Sequence, residues 1–258
     1  MPWWGTLLGG TLGFMFGGPL GALLGAALGR NFDRGIRITD EQAGFGVGQQ
    51  ERVQAAFFTT TFSVMGHIAK ADGQVTAAEI SATESIMGQM QLDPQQRKAA
   101  ILLFNEGKKD DFPLHAVMQQ FKRECHRRHN LEQMFLEIQI ATAMADGHVH
   151  TVEKRIIVSI GEQLGFDRAA IEQLFNLAGA GRATAGGKPS LSTAYKVIGV
   201  DKTASDAELK RAYRRLMSQH HPDKLIAKGL PEEMIKLATE KTQEIKAAYE
   251  QIKQHRAG

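Results

Sequence analysis

The chain has 258 residues, which is enough for one or two domains with additional segments. Its formal net charge at pH 7 is only +3, which argues against a protein that binds nucleic acid with its whole surface. The only cysteine, Cys125, excludes an internal disulfide and fits a reducing compartment. Because no second thiol supports a metal or redox role, we interpret Cys125 as a structural residue.

The first 29 residues contain no charged side chain, which exceeds the roughly 20 apolar residues that a membrane-spanning helix needs. A secretory signal would carry a basic start and a shorter apolar core, and glycine this dense is unfavourable in a soluble core helix. We therefore predict a transmembrane anchor over residues 1–31. Because Arg30, Arg34 and Arg37 follow, the positive-inside rule leaves a short N-terminus outside and the C-terminal bulk in the cytoplasm.

Glycine occupies every fourth position of this anchor. The ladder consists of Gly5, Gly9, Gly13, Gly17, Gly21, Gly25 and Gly29. Overlapping GxxxG units remove side chains along one stripe of a helix, so that two helices can approach closely in lipid. The ladder therefore predicts that the anchor associates with a second copy of itself, as a dimer. The alternative is that glycine is simply common in membrane helices.

Residues 32–50 form a mixed, glycine-containing linker, and residues 51–178 show helical patterns throughout, with no convincing strand. Asp93, Asn130 and Asp167 are predicted N-caps of helices. Together with the helical patterns of the C-terminal part, this segment predicts an all-α protein.

The middle segment contains an internal repeat. The sequence Ala-Asp-Gly-Gln-Val at residues 71–75 recurs as Ala-Asp-Gly-His-Val at residues 145–149, and Glu79 recurs as Glu153, all at an offset of 74 residues. Each half reads as helix, turn, helix, cap and helix, so we predict a duplicated helical bundle. The signature ADGxVxxxE resembles that of the TerB tellurite-resistance family, which implies a TerB-like domain over residues 51–178.

The same signature matches the second half of an EF-hand loop. Its acidic members are Asp72, Glu79, Asp146 and Glu153. Ile68 and Lys70 occupy the first and third loop positions of one copy, and Thr142 and Met144 occupy those of the other. None of these is a carboxylate, so neither copy is an ordinary calcium loop. Two interpretations stay open: the acidic residues cap helices, or the two copies share one divalent cation.

Residues 179–190 are rich in Gly, Ala, Ser and Thr, which predicts a flexible linker before a last domain over residues 191–258. Ser205 and Glu208 form a predicted capping box at the start of an amphipathic helix. The polar face of this helix is basic, with Lys210, Arg211, Arg214 and Arg215. The domain carries thirteen Lys and Arg against nine Asp and Glu, so we expect an acidic partner.

Pro222 ends the basic helix, because the residue before a proline is pushed out of the helical region. A second long helix starts near Pro231, and two helices joined by such a short loop are expected to pack antiparallel. The tip between them holds His221, Pro222 and Asp223.

A short helix, a capped basic helix, His-Pro-Asp and a helix that contains QEIKAAYEQI follow one another in this domain. This order closely resembles the J-domain of DnaJ-type co-chaperones. The resemblance implies that the module docks on a DnaK-type chaperone and stimulates its ATP hydrolysis. It assigns docking to the basic face (Lys210, Arg211, Arg214 and Arg215) and triggering to His221, Pro222 and Asp223.

The order of anchor, TerB-like domain, linker and J-domain resembles the membrane-anchored DnaJ-like co-chaperones of Gram-negative bacteria. This resemblance implies a location in the bacterial inner membrane, the lipid bilayer and a DnaK-type chaperone as partners, and client proteins of unknown identity. No catalytic constellation is present, so the sequence predicts neither an enzyme nor, apart from the candidate cation, a cofactor. The alternatives are a cation-responsive adaptor and, last, a nucleic-acid binder, because the basic helix lacks aromatic stacking platforms.

Overall fold

The computed structural model describes residues 18–24, 48–73, 75, 77–90, 92–145, 147, 149–182 and 190–257. The helices with defined bounds in the middle domain are α1 (Gln49–Ala69), α2 (Ala77–Gln89), α3 (Pro94–Gly107), α4 (Leu114–Glu124), α5 (His129–Ala143), α6 (Thr151–Leu164) and α7 (Arg168–Arg182). Those of the C-terminal domain are α8 (Leu191–Ile198), α9 (Asp206–His220), α10 (Pro222–Ala227) and α11 (Ile235–Ala257), with a 3₁₀ turn at Glu232–Met234. The described residues contain no strand, which confirms the predicted all-α class.

Helix α1 is the centre of the middle domain. Sixteen of its 21 residues are buried. A helix that is covered on all sides belongs to the core of a bundle, and α3, α4, α5 and α6 pack around α1. Gly66 and Gly107 bring α1 and α3 into backbone contact, because a Cβ at either position would overlap the main chain of the other helix.

The repeated Ala-Asp-Gly turns have the same backbone conformation in both halves of the middle domain. Gly73 has φ 94° and Gly147 has φ 96°, which is the left-handed region that favours glycine. In each half, the turn joins a central helix (α1 or α5) to the next one (α2 or α6). The structure therefore confirms the duplication at the level of the turn.

Two of the three predicted N-caps are confirmed. The side chain of Asp93 accepts hydrogen bonds from the amides of Gln95 and Gln96, and Asp167 Oδ1 accepts from the amide of Ala170 at 2.7 Å. The prediction for Asn130 is wrong, because α5 already begins at His129. Asn130 therefore lies within the first turn, and its side-chain amide contacts the C-terminal domain instead.

Helices α9 and α11 form the predicted antiparallel hairpin. Asp206 at the start of α9 pairs with Arg256 at the end of α11, with 2.6 Å between Oδ1 and Nη1. At the other end, Thr242 Oγ1 donates to the carbonyl of His220 at 3.1 Å. Helix α8 packs on both, so that the three helices enclose an apolar core of their own.

Helix α7 extends into the stretch that we predicted to be a linker. It ends at Arg182, so residues 179–182 are helical, whereas residues 183–189 lie outside the described part of the chain. The sequence favoured a linker because of its Gly and Ala content, but Leu174 and Leu177 are buried and fix this helix on the bundle. Packing of one apolar stripe commonly outweighs local propensity.

Only a short piece of the predicted anchor belongs to the described residues. Residues 18–24 are helical, Gly21 is buried, and Leu20, Leu23 and Leu24 join the apolar cluster of the middle domain. The other six glycines of the ladder lie outside the described residues. Within the described ranges, no helix is both long enough and apolar enough to cross a membrane.

Candidate functional site

The basic face of α9 is presented to solvent. The capping box at its start is confirmed: Ser205 Oγ accepts from the amide of Glu208, and Glu208 Oε2 accepts from the amide of Ser205 at 2.8 Å. Leu209, Ala212 and Leu216 are buried against the rest of the domain. All four basic side chains, Lys210, Arg211, Arg214 and Arg215, are exposed. Burial of the apolar stripe therefore turns the positive charges outward, where they can meet an acidic surface.

The tip follows immediately after this helix. His221 has an extended backbone with φ −61° and ψ 123°, and Pro222 is the first residue of α10. The amide of Asp223 donates to Nδ1 of His221 at 3.2 Å. A neutral histidine that accepts at Nδ1 carries its proton on Nε2. The ring is thus oriented by its own turn and retains Nε2 as a hydrogen-bond donor.

Further hydrogen bonds hold the tip in this shape. The amide of Leu225 donates to the carbonyl of His221 at 3.1 Å, and Lys224 Nζ donates to Ser218 Oγ at 2.7 Å. The Asp223 side chain retains 87 % of its accessible surface, and that of His221 retains 45 %. The structure therefore displays the imidazole and the carboxylate at the end of the basic helix, on a tightly bonded turn.

The segment behind the tip, residues 225–234, packs against the middle domain. We did not predict this contact from the sequence. Leu225, Leu230 and Met234 are fully buried in the same apolar cluster as the core of the middle domain. Gly229, with φ 96°, lies against Val53 of α1, where a Cβ would come within 2.9 Å of Cγ1. The apolar residues Leu225, Ile226, Leu230 and Met234, between the two long helices, were the signal in the sequence that could have indicated this contact.

The residues of the candidate cation site are only partly described. Asp72 is exposed, while Asp146 and the side chain of Glu79 lie outside the described residues. Glu153 is buried, and its Oε2 accepts from the amide of His150 at 2.9 Å, so it caps α6. In the part of the chain that the structure describes, no three His, Cys, Asp or Glu residues are grouped so that they could hold a metal ion. For Glu153, the geometry fits the capping interpretation.

Comparison with protein families defines the class. The chain matches the DnaJ domain over residues 193–257, the tellurite resistance protein TerB over residues 59–176, and the co-chaperone DjlA transmembrane domain over residues 1–50. A helical bundle that supports an exposed His-Pro-Asp tip is thus a TerB-like domain joined to a J-domain. No solved structure gives a significant match.

Full-length relatives define the family. The chain is 42% identical to the co-chaperone protein DjlA of Yersinia pseudotuberculosis, over 99% of both chains. It is 42% identical to that of Escherichia coli K12, over 98% of this chain and 92% of the relative, and 41% identical to that of Photobacterium profundum, over 98% and 99%. The chain belongs to the DjlA family of co-chaperones.

Proposed function

We propose that this protein is a membrane-tethered co-chaperone that recruits a DnaK-type chaperone to the bacterial inner membrane and stimulates its ATP hydrolysis. The observation that carries the proposal is the combined surface of α9 and the tip. Its four cations are exposed, and His221 and Asp223 are displayed directly after them. The match to a DnaJ domain over residues 193–257 supports the assignment of the partner.

The two parts of this surface have different roles. The exposed cations attract an acidic surface on the chaperone, so they govern encounter and orientation. The tip then engages the chaperone through a shaped hydrogen-bond donor at His221 and the negative charge of Asp223. The protein itself performs no reaction in this proposal, because ATP is hydrolysed in the nucleotide site of the chaperone. His221 is accordingly a recognition group and not a proton-transfer catalyst.

The membrane part of the proposal rests on residues 1–50, which match the co-chaperone DjlA transmembrane domain. The anchor fixes the J-domain at the cytoplasmic face, with the short N-terminus in the periplasm. The glycine ladder pairs two copies in the bilayer. Recruited chaperone then acts on clients at the membrane surface.

The test is single-turnover ATP hydrolysis by DnaK in the presence of the full chain in lipid nanodiscs. We expect stimulation by the unmutated protein and its loss with His221→Gln or Asp223→Asn, which leave the helices intact because both side chains are partly or largely exposed. His255→Gln makes the same chemical change at an exposed position on α11 and serves as the control. Equal stimulation by His221→Gln and the unmutated protein would refute the proposal.

A further inference from the structure

Helix α9 ends abruptly at the tip. A helix leaves its last four carbonyl groups without partners inside the helix. At the end of helix α8, Gly199 has a left-handed backbone with φ 71°, and the amide of this residue caps free carbonyl groups of the helix. Helix α9 has no such cap, because His221 is extended and Pro222 starts the next helix. The carbonyls that precede the tip therefore need donors from elsewhere.

The middle domain supplies one of these donors. Asn130 Nδ2, in the first turn of α5, donates to the carbonyl of Gln219 at 2.9 Å and lies 3.5 Å from that of Ser218. The carbonyl of His220 accepts from Thr242 Oγ1 of α11. The end of α9 is thus capped from two sides, and one of these sides belongs to the other domain.

A second polar contact joins the same two elements. His220 is buried, and its Nε2 lies 3.5 Å from Glu137 Oε1 on α5. Glu137 Oε1 also accepts from Gln133 Nε2 at 2.8 Å. Burial would lower the pKa of Lys241 on α11, but the carboxylates of Glu244 and Glu137 raise it above its ordinary value. Polar side chains of α5 therefore face the C-terminal domain around the residue that immediately precedes His221.

We infer that α5 of the TerB-like domain positions the His-Pro-Asp tip, and that Asn130 is the positioning residue that caps the helix before it. This inference rests on the proposed function and deepens it. The contact covers only the back of the tip, because the basic face and Asp223 remain exposed. The middle domain therefore supports the docking surface without obstructing it.

Asn130→Asp tests the inference, because it keeps the shape of the side chain and removes the N–H donors. Asn105→Asp is the control, since it makes the same change at an exposed position on α3. Hydrogen exchange of the amides of Asp223 and Leu225, whose acceptors belong to His221, reports the order of the tip in the full chain. We expect exchange to accelerate about fivefold in Asn130→Asp, the equivalent of one net hydrogen bond, and to stay unchanged in Asn105→Asp.

Stimulation of DnaK gives the second readout. The maximal stimulation by Asn130→Asp should fall by at most about fivefold, which is the limit that the loss of one net hydrogen bond sets. The half-saturating concentration should change little, because the basic face is intact. Asn130→Gln keeps a donor and should restore most of the maximal stimulation. A residue that only stabilised the fold would not lower the maximal stimulation while leaving the half-saturating concentration unchanged.

Unchanged exchange at the tip in Asn130→Asp, or equal acceleration in Asn105→Asp, would overturn the inference. Exchange is measured without DnaK. If the unmutated chain fails to stimulate DnaK, this result refutes the proposed function, but the exchange measurement still tests whether α5 positions the tip.

Discussion

The contact between the two domains can be tested by truncating one side chain at its centre. Leu225, in the helix that starts at Pro222, is fully buried in the apolar cluster of the middle domain. Leu225→Ala removes three carbon atoms, which corresponds to about 2.4 kcal/mol of transfer free energy at ~0.8 kcal/mol for each group. The cavity left behind adds to this value, so we expect the free energy of unfolding to fall by about 2–5 kcal/mol.

Urea unfolding of the full chain in detergent micelles, followed by far-ultraviolet circular dichroism, measures this loss. Ile101→Ala is the matched control, because it removes the same number of carbon atoms from a side chain that is 44% exposed on α3. We expect the control to cost less than about 1 kcal/mol. Equal losses in the two variants would show that Leu225 is not buried against the middle domain in solution, and the argument for a supported tip would fall with it.

Three further predictions concern the basic face, the repeated turns and the anchor. Arg211→Ala with Arg215→Ala should raise the half-saturating concentration for DnaK, because the exposed charges that attract an acidic surface are lost. The dependence of this concentration on salt should become weaker, because salt screens such charges over about 10 Å at 0.1 M. The control is Lys246→Ala with Lys253→Ala on α11, which removes the same charge. Glu153→Ala should lower stability by about 1 kcal/mol through loss of the cap, as read from the melting temperature. If divalent cations instead raise the melting temperature of the unmutated chain, and Asp72→Asn with Asp146→Asn removes that rise, the two turns share a cation and the capping interpretation is wrong. Replacing Gly13 and Gly17 by Leu should weaken self-association in a membrane two-hybrid assay while insertion persists; undiminished association would show that the ladder is incidental.

Features that depend on neighbouring residues could be predicted from the sequence. The capping box of Ser205 and Glu208, the cap at Asp93 and the left-handed glycines of the repeated turns each need a pattern of only a few residues. The His-Pro-Asp tip also belongs to this group, because Pro222 fixes where one helix ends and the next begins. Local chemistry determined these elements, and the structure agrees with it.

Features that depend on contacts between distant segments could not be predicted in the same way. Asn130 has the side chain of an N-cap, but its acceptor is a carbonyl 89 residues away. The helix Pro222–Ala227 was missed because its six residues are too few for a periodic pattern, and burial of Leu225 against the other domain stabilises it. The sequence shows apolar residues there, but not the surface that covers them.

Encounter with the chaperone, stimulation of the chaperone and the shape of the tip depend on three different groups of side chains in the proposed function. In the proposed function, charge on the exposed face of α9 governs how often the protein encounters the chaperone, and the groups of His221 and Asp223 govern whether an encounter leads to stimulation. In the inferred positioning of the tip, the contacts of Asn130 and Leu225 govern how often the tip has the correct shape. Because these groups lie on different surfaces, each can be changed without the others: altered salt dependence, lost stimulation and faster exchange at the tip should therefore arise from different substitutions.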